Sequence, residues 1–330
     1  METPTLLVLA AGMGSRYGGL KQIDPMGPAD ETILDYSIWD AIDAGFRKVV
    51  FVIREEFEDA FRLVLGDRIS EHVEVAYAFQ CMHDLPSGFE VPAARLKPWG
   101  TAHAVFSARE QITSPFAVIN ADDFYGRDAY MKAAEFLCAP PEVTGEASAC
   151  CLVAYTLGKT LSDHGEVNRG ITSQTVDEEL ELVEEITGIA RNDSGRIEGL
   201  ASDGTTRVLS ENAAASMNFW GFSPRLFDQL DDQLTAFLAS GVDLDSAEWH
   251  IPTLVDLLVR QGRASCRVLS STGNWFGVTH RKDKPLVMNA IARLVSEGEY
   301  PSPLWELSLI HISEPTRQAE ISYAVFCLKK

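Results

Sequence analysis

The chain alternates between short runs of continuous hydrophobic residues and longer stretches with a hydrophobic residue every three or four positions. The first pattern is typical of buried parallel strands, and the second is typical of amphipathic helices. Over residues 1–140 the patterns alternate as β-α-β-α-β-α-β-α, which predicts a parallel sheet with helices on both faces. The predicted strands are Thr5–Ala11, Lys48–Ile53, Val73–Phe79 and Pro115–Asn120. The predicted helices are Glu31–Ala44, Glu55–Leu65 (ended by Gly66), Ala102–Ile112 and Asp128–Leu137.

The pattern from residue 141 to residue 306 is more mixed. Three segments with turn residues between them predict antiparallel strands at Thr172–Asp177, Leu180–Thr187 and Arg196–Gly204. Further strands are predicted at Ser148–Thr156, Met217–Phe222 and Ala264–Ser270, and helices at Pro224–Ala239, Ile251–Gln261 and Lys284–Ser296. Because no repeat or low-complexity linker divides the chain, we expect one α/β domain over residues 1–306. Its central sheet should be mixed but mostly parallel.

Composition excludes some function classes. The chain has 48 acidic and 28 basic residues and a net charge of −20, which argues against a nucleic-acid or anionic membrane partner. No hydrophobic run is long enough for a signal peptide or a membrane span, so we expect a cytoplasmic protein. Six cysteines without CxxC spacing and scattered histidines argue against zinc and for reduced thiols. The oligomeric state stays open.

The last segment is unlike the rest. Residues 307–330 read LSLIHISEPTRQAEISYAVFCLKK and resemble a translated sequencing adapter, with two adapter matches in the right order. We therefore expect a non-native tail and leave it out of the fold argument. Removing its three basic and two acidic residues would leave 306 residues and change the net charge from −20 to −21.

A glycine-rich loop follows the first predicted strand. Gly12 and Gly14 would let backbone N–H groups approach phosphate oxygens, and Arg16 and Lys21 could hold polyphosphate charge. The loop lacks the third glycine of a dinucleotide fingerprint and the spacing of a Walker A motif. Taken alone, it could be a plain strand-to-helix turn.

Two further motifs follow later strands. Gly100 and Thr101 would cap a helix whose N-terminus offers N–H groups, and Asp122 follows the fourth strand, where it could hold Mg²⁺ with substrate phosphates. Each alone could be an ordinary helix start or turn. All three lie at the carboxyl ends of predicted parallel strands or just beyond them, where open α/β sheets bind ligands, so together they predict a phosphate-handling site.

These motifs resemble those of the sugar-1-phosphate nucleotidylyltransferases. LAAGMGSR…LK is similar to LAAGxGxR…PK, with Leu20 in place of proline; PWGTAHAV is similar to PxGTAxAL; and NADDFYG is similar to GDNxFYG, with Ala121 in place of glycine. HGEV and MNFWGF are looser matches to the family's YGVV and NAGIYxF elements. The resemblance spans about residues 5–280. It implies a three-layer nucleotide-binding fold of the glycosyltransferase-A type, with residues 1–140 as the nucleotide half and 141–306 as the acceptor half.

The resemblance also implies roles. Arg16 would stabilise the leaving pyrophosphate, Lys21 the α-phosphate and the acceptor, and Asp122 would bind Mg²⁺. The nucleotide would be seated by Ala11, Gly12, Gly14, Gln80, Gly100 and Thr101. Weaker candidates for sugar contacts are Gly165, Glu185 and Asn218. The expected partners are an NTP and a phosphorylated small-molecule acceptor.

The acceptor half departs from the family pattern. The element that should carry an acceptor-phosphate lysine, residues 183–187, has no basic residue, and Gly277 stands where a second metal aspartate is usual. Arg169 or Lys97 could replace the lysine, although each could also be a solvated surface charge. Three functions stay open: transfer to a sugar 1-phosphate, transfer to a non-sugar phosphate such as phosphocholine, and nucleotide sensing without turnover.

Overall fold

A computed structural model of the chain describes residues 2–12, 24–143, 147–162, 165–278 and 283–305. Its strands are β1 (Thr5–Leu9), β2 (Lys48–Ile53), β3 (Glu74–Phe79), β4 (Phe116–Asn120), β5 (Asp123–Phe124), β6 (Ser148–Thr156), β7 (Val167–Gln174), β8 (Leu180–Arg191), β9 (Ile197–Ala201), β10 (Thr206–Leu209), β11 (Ala214–Phe222), β12 (Ala264–Ser270) and β13 (Phe276–Gly277). Its α-helices are α1 (Ile33–Ala44), α2 (Glu58–Phe61), α3 (Asp67–Ser70), α4 (Thr101–Ser107), α5 (Arg127–Cys138), α6 (Phe227–Ala239), α7 (Ile251–Arg260) and α8 (Lys284–Ser296). None of the helices in these ranges is long and apolar enough to cross a membrane.

The central sheet is mixed but mostly parallel, as predicted. Strands β3, β2, β1 and β4 pair in parallel, and so do β6 and β12. Strand β11 joins the two groups and runs antiparallel to both β4 and β6. Strands β7 to β10 extend from β11 as an antiparallel sheet.

The sheet divides at the middle of β11. Strand β6 pairs along one side of β11, whereas the other side pairs first with β7 at residues 215–216 and then with β4 at residues 220–222. The register shifts between Ser216 and Phe219, and Asn218 has a left-handed φ of 62°. Strands β7 and β4 therefore diverge, and the gap between them opens beside the carboxyl end of β4.

Two hydrophobic layers cover the faces of this sheet. In β1, Leu6 and Val8 point into a core that includes α1, α5 and α8, whereas Leu7 points into a core that includes α4, α6 and α7. This alternation is what a strand buried on both faces requires. A smaller cluster lies under the antiparallel extension and includes Ile186, Ile189 and Ile197. The helix–sheet–helix architecture confirms the predicted fold class.

Most predicted elements lie within a few residues of the observed ones, but two expected helix ends are wrong. Helix α4 ends at Ser107 and not at Ile112. The helical segment that starts at Glu55 does not stop at Gly66; it continues through a π-helical turn and α3 to Ser70. Gly66 keeps helical angles, and the space next to its Cα is filled by the Tyr77 hydroxyl. Glycine is required there for close packing and not for a turn.

A buried carboxyl group links α1 to the last described segment. The Tyr300 hydroxyl donates a 2.7 Å hydrogen bond to Asp40, whose side chain is buried. Burial raises the pKa of Asp40 to about 7, against the opposing effects of the Tyr300 hydrogen bond and the Arg127 charge. The folded protein therefore holds a proton on Asp40 at a pH where the unfolded chain has lost it.

This difference predicts a pH-dependent gain from Asp40→Asn. Because the folded-state pKa lies above the unfolded value of 3.8, wild-type stability from this group falls as the pH rises from about 4 to about 7. Between pH 5 and pH 8, urea unfolding should therefore show the variant gaining about 2–3 kcal/mol relative to wild type. The exposed Asp59→Asn change is the control and should give a constant difference. Parallel curves for Asp40→Asn and wild type would contradict the prediction.

Candidate functional site

A cavity of about 570 Å³ opens where β4 and β7 diverge. One wall comes from the end of β4, a second from β7, β8 and β11, and a third from α7. Its lining includes Thr101, Asn120, Asp122, Asp123, Asn168, Arg169, Glu185, Ser216, Asn218, His250, Thr253, Asp256 and Trp275. The site thus lies at the carboxyl edge of the parallel strands, where the sequence placed Asp122.

Asn218, a predicted sugar contact, is fixed in this cavity by a polar network. Its Nδ2 donates to Asn120 Oδ1 at 2.7 Å, and its Oδ1 accepts from Trp220 Nε1 at 3.0 Å. Asn120 in turn donates from Nδ2 to Asp123 Oδ2 at 2.9 Å. A left-handed asparagine costs of order 1 kcal/mol unless its surroundings hold it. These bonds offset that cost. They also connect Asn218, where the register of β11 shifts, to the Asp123 carboxylate after β4.

Asp123 fills the space that a side chain at position 277 would need. Strands β5 and β13 pair Asp123 with Gly277, and a Cβ on Gly277 would overlap Asp123 Oδ1. The Asp123 carboxylate is nearly buried and accepts from Asn120 and from the Tyr125 hydroxyl at 3.3 Å. Gly277 stands where the resemblance leads us to expect a second metal aspartate. The Asp123 carboxylate, on the facing strand, lies beside that position.

Asp122 and Asp123 are adjacent in the chain, and both line the cavity, where their carboxylate oxygens are of the type that binds a divalent cation. Within the described ranges, no group of three or more His, Cys, Asp or Glu residues is arranged to hold a metal ion. A closed protein cage is not what Mg²⁺ needs, because it is usually bound by one or two carboxylates together with substrate phosphates and water. Two adjacent carboxylates beside an open cavity fit that donor set.

Of the two basic candidates from the sequence, Arg169 lines the cavity. It lies on β7, with its guanidinium 4.9 Å from the centroid of the Trp275 ring. Loss of solvent lowers its pKa, against the charges of Asp123 and Glu185. Lys97 instead has a side chain 68% exposed and pairs with Glu248 at 3.6 Å, away from the residues that line the cavity.

The other predicted acceptor residues differ in position. Glu185 lines the cavity, and burial raises its pKa against the charges of His250 and Arg169. Gly165 is exposed and pairs with Ser162, so it does not contribute to the cavity lining. His164 lies outside the described residues.

Helix α7 contributes residues that the sequence analysis did not identify. His250 precedes the helix, and Thr253 and Asp256 follow at three-residue spacing on the face opposite its buried leucines. This spacing is a usable signal, since polar residues three apart share one helix face. Nothing in the sequence indicates, however, that this face meets the cavity.

Gln80, a predicted nucleotide contact, has a fixed amide orientation. Its Nε2 donates to Gly100 O at 3.1 Å and lies 3.3 Å from His103 Nδ1. Burial lowers the pKa of His103, whose Nε2 donates to the Asp84 carbonyl at 2.9 Å. With its proton on Nε2, His103 accepts at Nδ1, so the Gln80 amide N–H groups donate to His103 Nδ1 and to Gly100 O. The Gln80 carbonyl oxygen can then accept a hydrogen bond from a ligand.

The predicted helix cap at Gly100 and Thr101 is confirmed for Gly100, which is the N-cap of α4, but it is wrong for Thr101. Thr101 is the first residue of α4, and its hydroxyl accepts from the Ile251 backbone N–H at 3.1 Å at the start of α7. Gly100 has a φ of 103°, and the Trp249 backbone packs where a Cβ would lie. The Ala102 N–H donates to Trp249 O at 3.0 Å. The start of α4 is thus hydrogen-bonded to the start of α7. The Ala102 N–H donates to Trp249 O and is not one of the N–H groups that the helix offers to a ligand.

The glycine-rich loop is only partly described. Ala11 is buried and Gly12 is exposed immediately after β1. Gly14, Arg16 and Lys21 lie outside the described residues.

Comparisons with known proteins agree with this geometry. Residues 6–151 match the family described as nucleotidyl transferase. An inositol-1-phosphate CTP transferase from T. maritima has a similar structure, with a TM-score of 0.57, 14% identity and coverage of 88% of this chain and 96% of that one. A UDP-glucose pyrophosphorylase from Acinetobacter baumanii gives 0.52 and 13%, with coverage of 87% and 92%. At these identities the likeness concerns the fold.

A search of curated protein sequences finds no significant match. The matched residues 6–151 run from the first strand through the glycine-rich loop, Gln80, Gly100 and Asp122 to β6. They therefore contain the nucleotide-side motifs and one wall of the cavity. Residues 6–151 are therefore similar to the nucleotidyl transferase family, and the fold that carries them is similar to that of solved nucleotidyltransferase enzymes.

Proposed function

We propose that the protein transfers a nucleotidyl group from an NTP to a sugar 1-phosphate and releases pyrophosphate. The observation that supports this most is the cavity beside β4, where four carboxylates and a guanidinium lie among groups that bind hydroxyls. Its volume of about 570 Å³ is in the range of small-molecule sites.

The reaction needs little proton transfer. An oxygen of the acceptor phosphate attacks the α-phosphorus in line, a new P–O bond forms, and the bond to the β-phosphate oxygen breaks. Because the acceptor phosphate is already ionised near pH 7, no strong general base is required. Catalysis then depends on positioning and on neutralising charge, and we assign Arg16 to the leaving pyrophosphate and Lys21 to the α-phosphate and acceptor.

We further propose that Asp122, together with Asp123, holds Mg²⁺. The bound ion would neutralise phosphate charge together with Arg16 and Lys21, because the overall field of an acidic protein does not attract phosphate. Asn120 and Tyr125 orient the Asp123 carboxylate for this role. Ala11, Gly12, Gly14, Gln80, Gly100 and Thr101 are proposed for the nucleotide.

The acceptor wall favours a polyol. Glu185 and Asn218, with Asn168 beside them, offer acceptors and amide donors of the kind that bind sugar hydroxyls. The T. maritima neighbour is an inositol-1-phosphate CTP transferase, and the Acinetobacter baumanii neighbour is a UDP-glucose pyrophosphorylase. Choline recognition needs an aromatic cage, whereas Trp275 already stacks on Arg169. Phosphocholine is therefore the less favoured acceptor. Gly165 is proposed as a sugar contact on the resemblance alone.

The test is a pyrophosphate-release assay on the full chain with Mg²⁺. Four or five NTPs are crossed with a panel of sugar 1-phosphates, inositol 1-phosphate and phosphocholine, and the nucleotide product is identified by mass. We expect release with at least one sugar or polyol phosphate. Release with phosphocholine alone would transfer the assignment to that acceptor. Folded protein that binds NTP but releases no pyrophosphate with any pair would indicate a sensor.

A further inference from the structure

We infer that Arg169 binds the phosphate group of the acceptor. The inference rests on the proposed function for the identity of that acceptor, but the site itself is argued from Arg169 and its surroundings. Among the described residues that line the cavity, Arg169 is the only lysine or arginine. Asp122, Asp123, Glu185 and Asp256 line the same cavity, so a phosphate that enters it needs a cation to offset their repulsion.

The Arg169 guanidinium is held by neutral oxygens. Its Nη2 donates to the Thr160 carbonyl at 2.7 Å, its Nη1 to the Asn168 carbonyl at 2.8 Å, and its Nε approaches Thr160 Oγ1 at 3.4 Å. These bonds fix the orientation of the group but leave its charge uncompensated. One N–H on each terminal nitrogen is not used by these bonds and can donate to a phosphate oxygen.

The surroundings of Arg169 favour an anionic ligand. Loss of solvent is the main influence on its pKa, which it lowers. Asp123 and Glu185 act on it through their charge, but in the described part of the chain neither forms an ion pair with it. A cation that is partly desolvated and not paired gains more from binding an anion than a solvated one does. The Trp275 ring limits its movement on one side.

Its position assigns this group to the acceptor and not to the NTP. Arg169 pairs with Ile186 across β7 and β8, next to the pairing of Gly170 with Glu185. Arg169 and Glu185 therefore lie on paired strands, and both line the cavity. A phosphate bound to Arg169 would bring the rest of the acceptor near the proposed sugar contact Glu185.

A purely structural role, in which Arg169 only packs Trp275, makes different predictions. The test uses Arg169→Ala and Arg169→Lys, with Lys97→Ala as the control because Lys97 is the exposed basic candidate from the sequence. In the release assay with glucose 1-phosphate, or with the best acceptor from the panel, Arg169→Ala should raise the acceptor KM by about 10–100-fold. The NTP KM should change less than threefold. Arg169→Lys should recover part of the loss, and Lys97→Ala should change neither constant.

A second measurement does not depend on turnover. In protein labelled with ¹⁵N-arginine, the side-chain Nε–H signal of Arg169 is identified by its loss in Arg169→Lys and followed during titration with inorganic phosphate. We expect a saturating shift that an equal ionic strength of chloride does not produce. A shift without pyrophosphate release would refute the proposed reaction and support the anion site. Two results would overturn the inference and leave the reaction standing. One is pyrophosphate release without a phosphate-dependent shift, and the other is an equal rise in the KM for NTP and for acceptor in Arg169→Ala. The absence of both a shift and release would overturn both.

Discussion

Replacement of Asp122 by asparagine is expected to lower kcat for pyrophosphate release by about 100–1,000-fold. The change removes one negative charge from the cavity with almost no change in side-chain volume. If Asp122 holds the divalent cation, the variant should need far more Mg²⁺ for its residual activity. NTP binding without Mg²⁺ should stay within about threefold of wild type, since the base and ribose contacts are unchanged. Steady-state kinetics over a Mg²⁺ series, with NTP affinity by calorimetry, measures both effects.

Two further variants separate this role from a general charge effect. Asp232→Asn removes an exposed carboxylate from α6 and should leave kcat unchanged. Asp123→Asn should also lower kcat and raise the Mg²⁺ requirement, because its carboxylate takes the place of the side chain absent at Gly277. Activity of Asp122→Asn within threefold of wild type would show that Asp122 is not the metal ligand.

The sequence predicted the edge at which the site lies, and the reason is local. Continuous hydrophobic runs identify buried parallel strands, and residues immediately after such strands must lie at one edge of the sheet. Asp122 could therefore be placed from its position after PFAVIN, without knowledge of any long-range contact. Asn218 was placed by the family resemblance, and its left-handed backbone and its bond to Asn120 became visible only in the structure.

What the sequence did not predict depends on pairings between distant segments. The pairing of Gly277 with Asp123 joins residues far apart in the chain, so the missing aspartate at 277 could be seen but the nearby carboxylate could not. Similarly, Thr101 was expected to cap its own helix, but its hydroxyl bonds to Ile251 because α4 and α7 meet at Trp249. Only Arg169 of the two basic candidates, Arg169 and Lys97, lines the cavity that opens where β7 and β4 diverge along β11. No hydrophobic pattern in the sequence predicts that divergence.

Trp305→Ala is expected to lower the free energy of unfolding by about 4 kcal/mol. Trp305 is 7% exposed, stacks on His72 at a ring distance of 4.5 Å and contacts Trp39 edge-on at 5.3 Å. Its Nε1 donates to Asp35 Oδ1 at 2.8 Å. Truncation would leave a large cavity beside α1 and one fewer donor for a buried carboxylate. Urea unfolding with matched m-values measures the loss.

Trp305→Phe divides the loss into its parts. Phenylalanine keeps most of the ring contacts but loses the N–H, and Asp35 still accepts from Thr32 and Arg68, so we expect a loss of about 1–2 kcal/mol. Leu286→Ala truncates a half-exposed side chain on α8 and should cost less than 1 kcal/mol. A loss below 1 kcal/mol for Trp305→Ala would show that this side chain does not anchor α1.

The same variant tests whether this anchor supports the cavity. Helix α1 also contacts the site, since the Ser37 hydroxyl donates to the Asp123 backbone carbonyl at 3.3 Å. That bond belongs to the side of α1 that faces β5, whereas Trp305 packs beside Trp39 and Asp35. We therefore expect Trp305→Ala to keep kcat within twofold of wild type at temperatures well below its lowered melting point. A large loss of kcat in fully folded protein would instead indicate that α1 transmits the displacement to Asp123, and an increased Mg²⁺ requirement would accompany it.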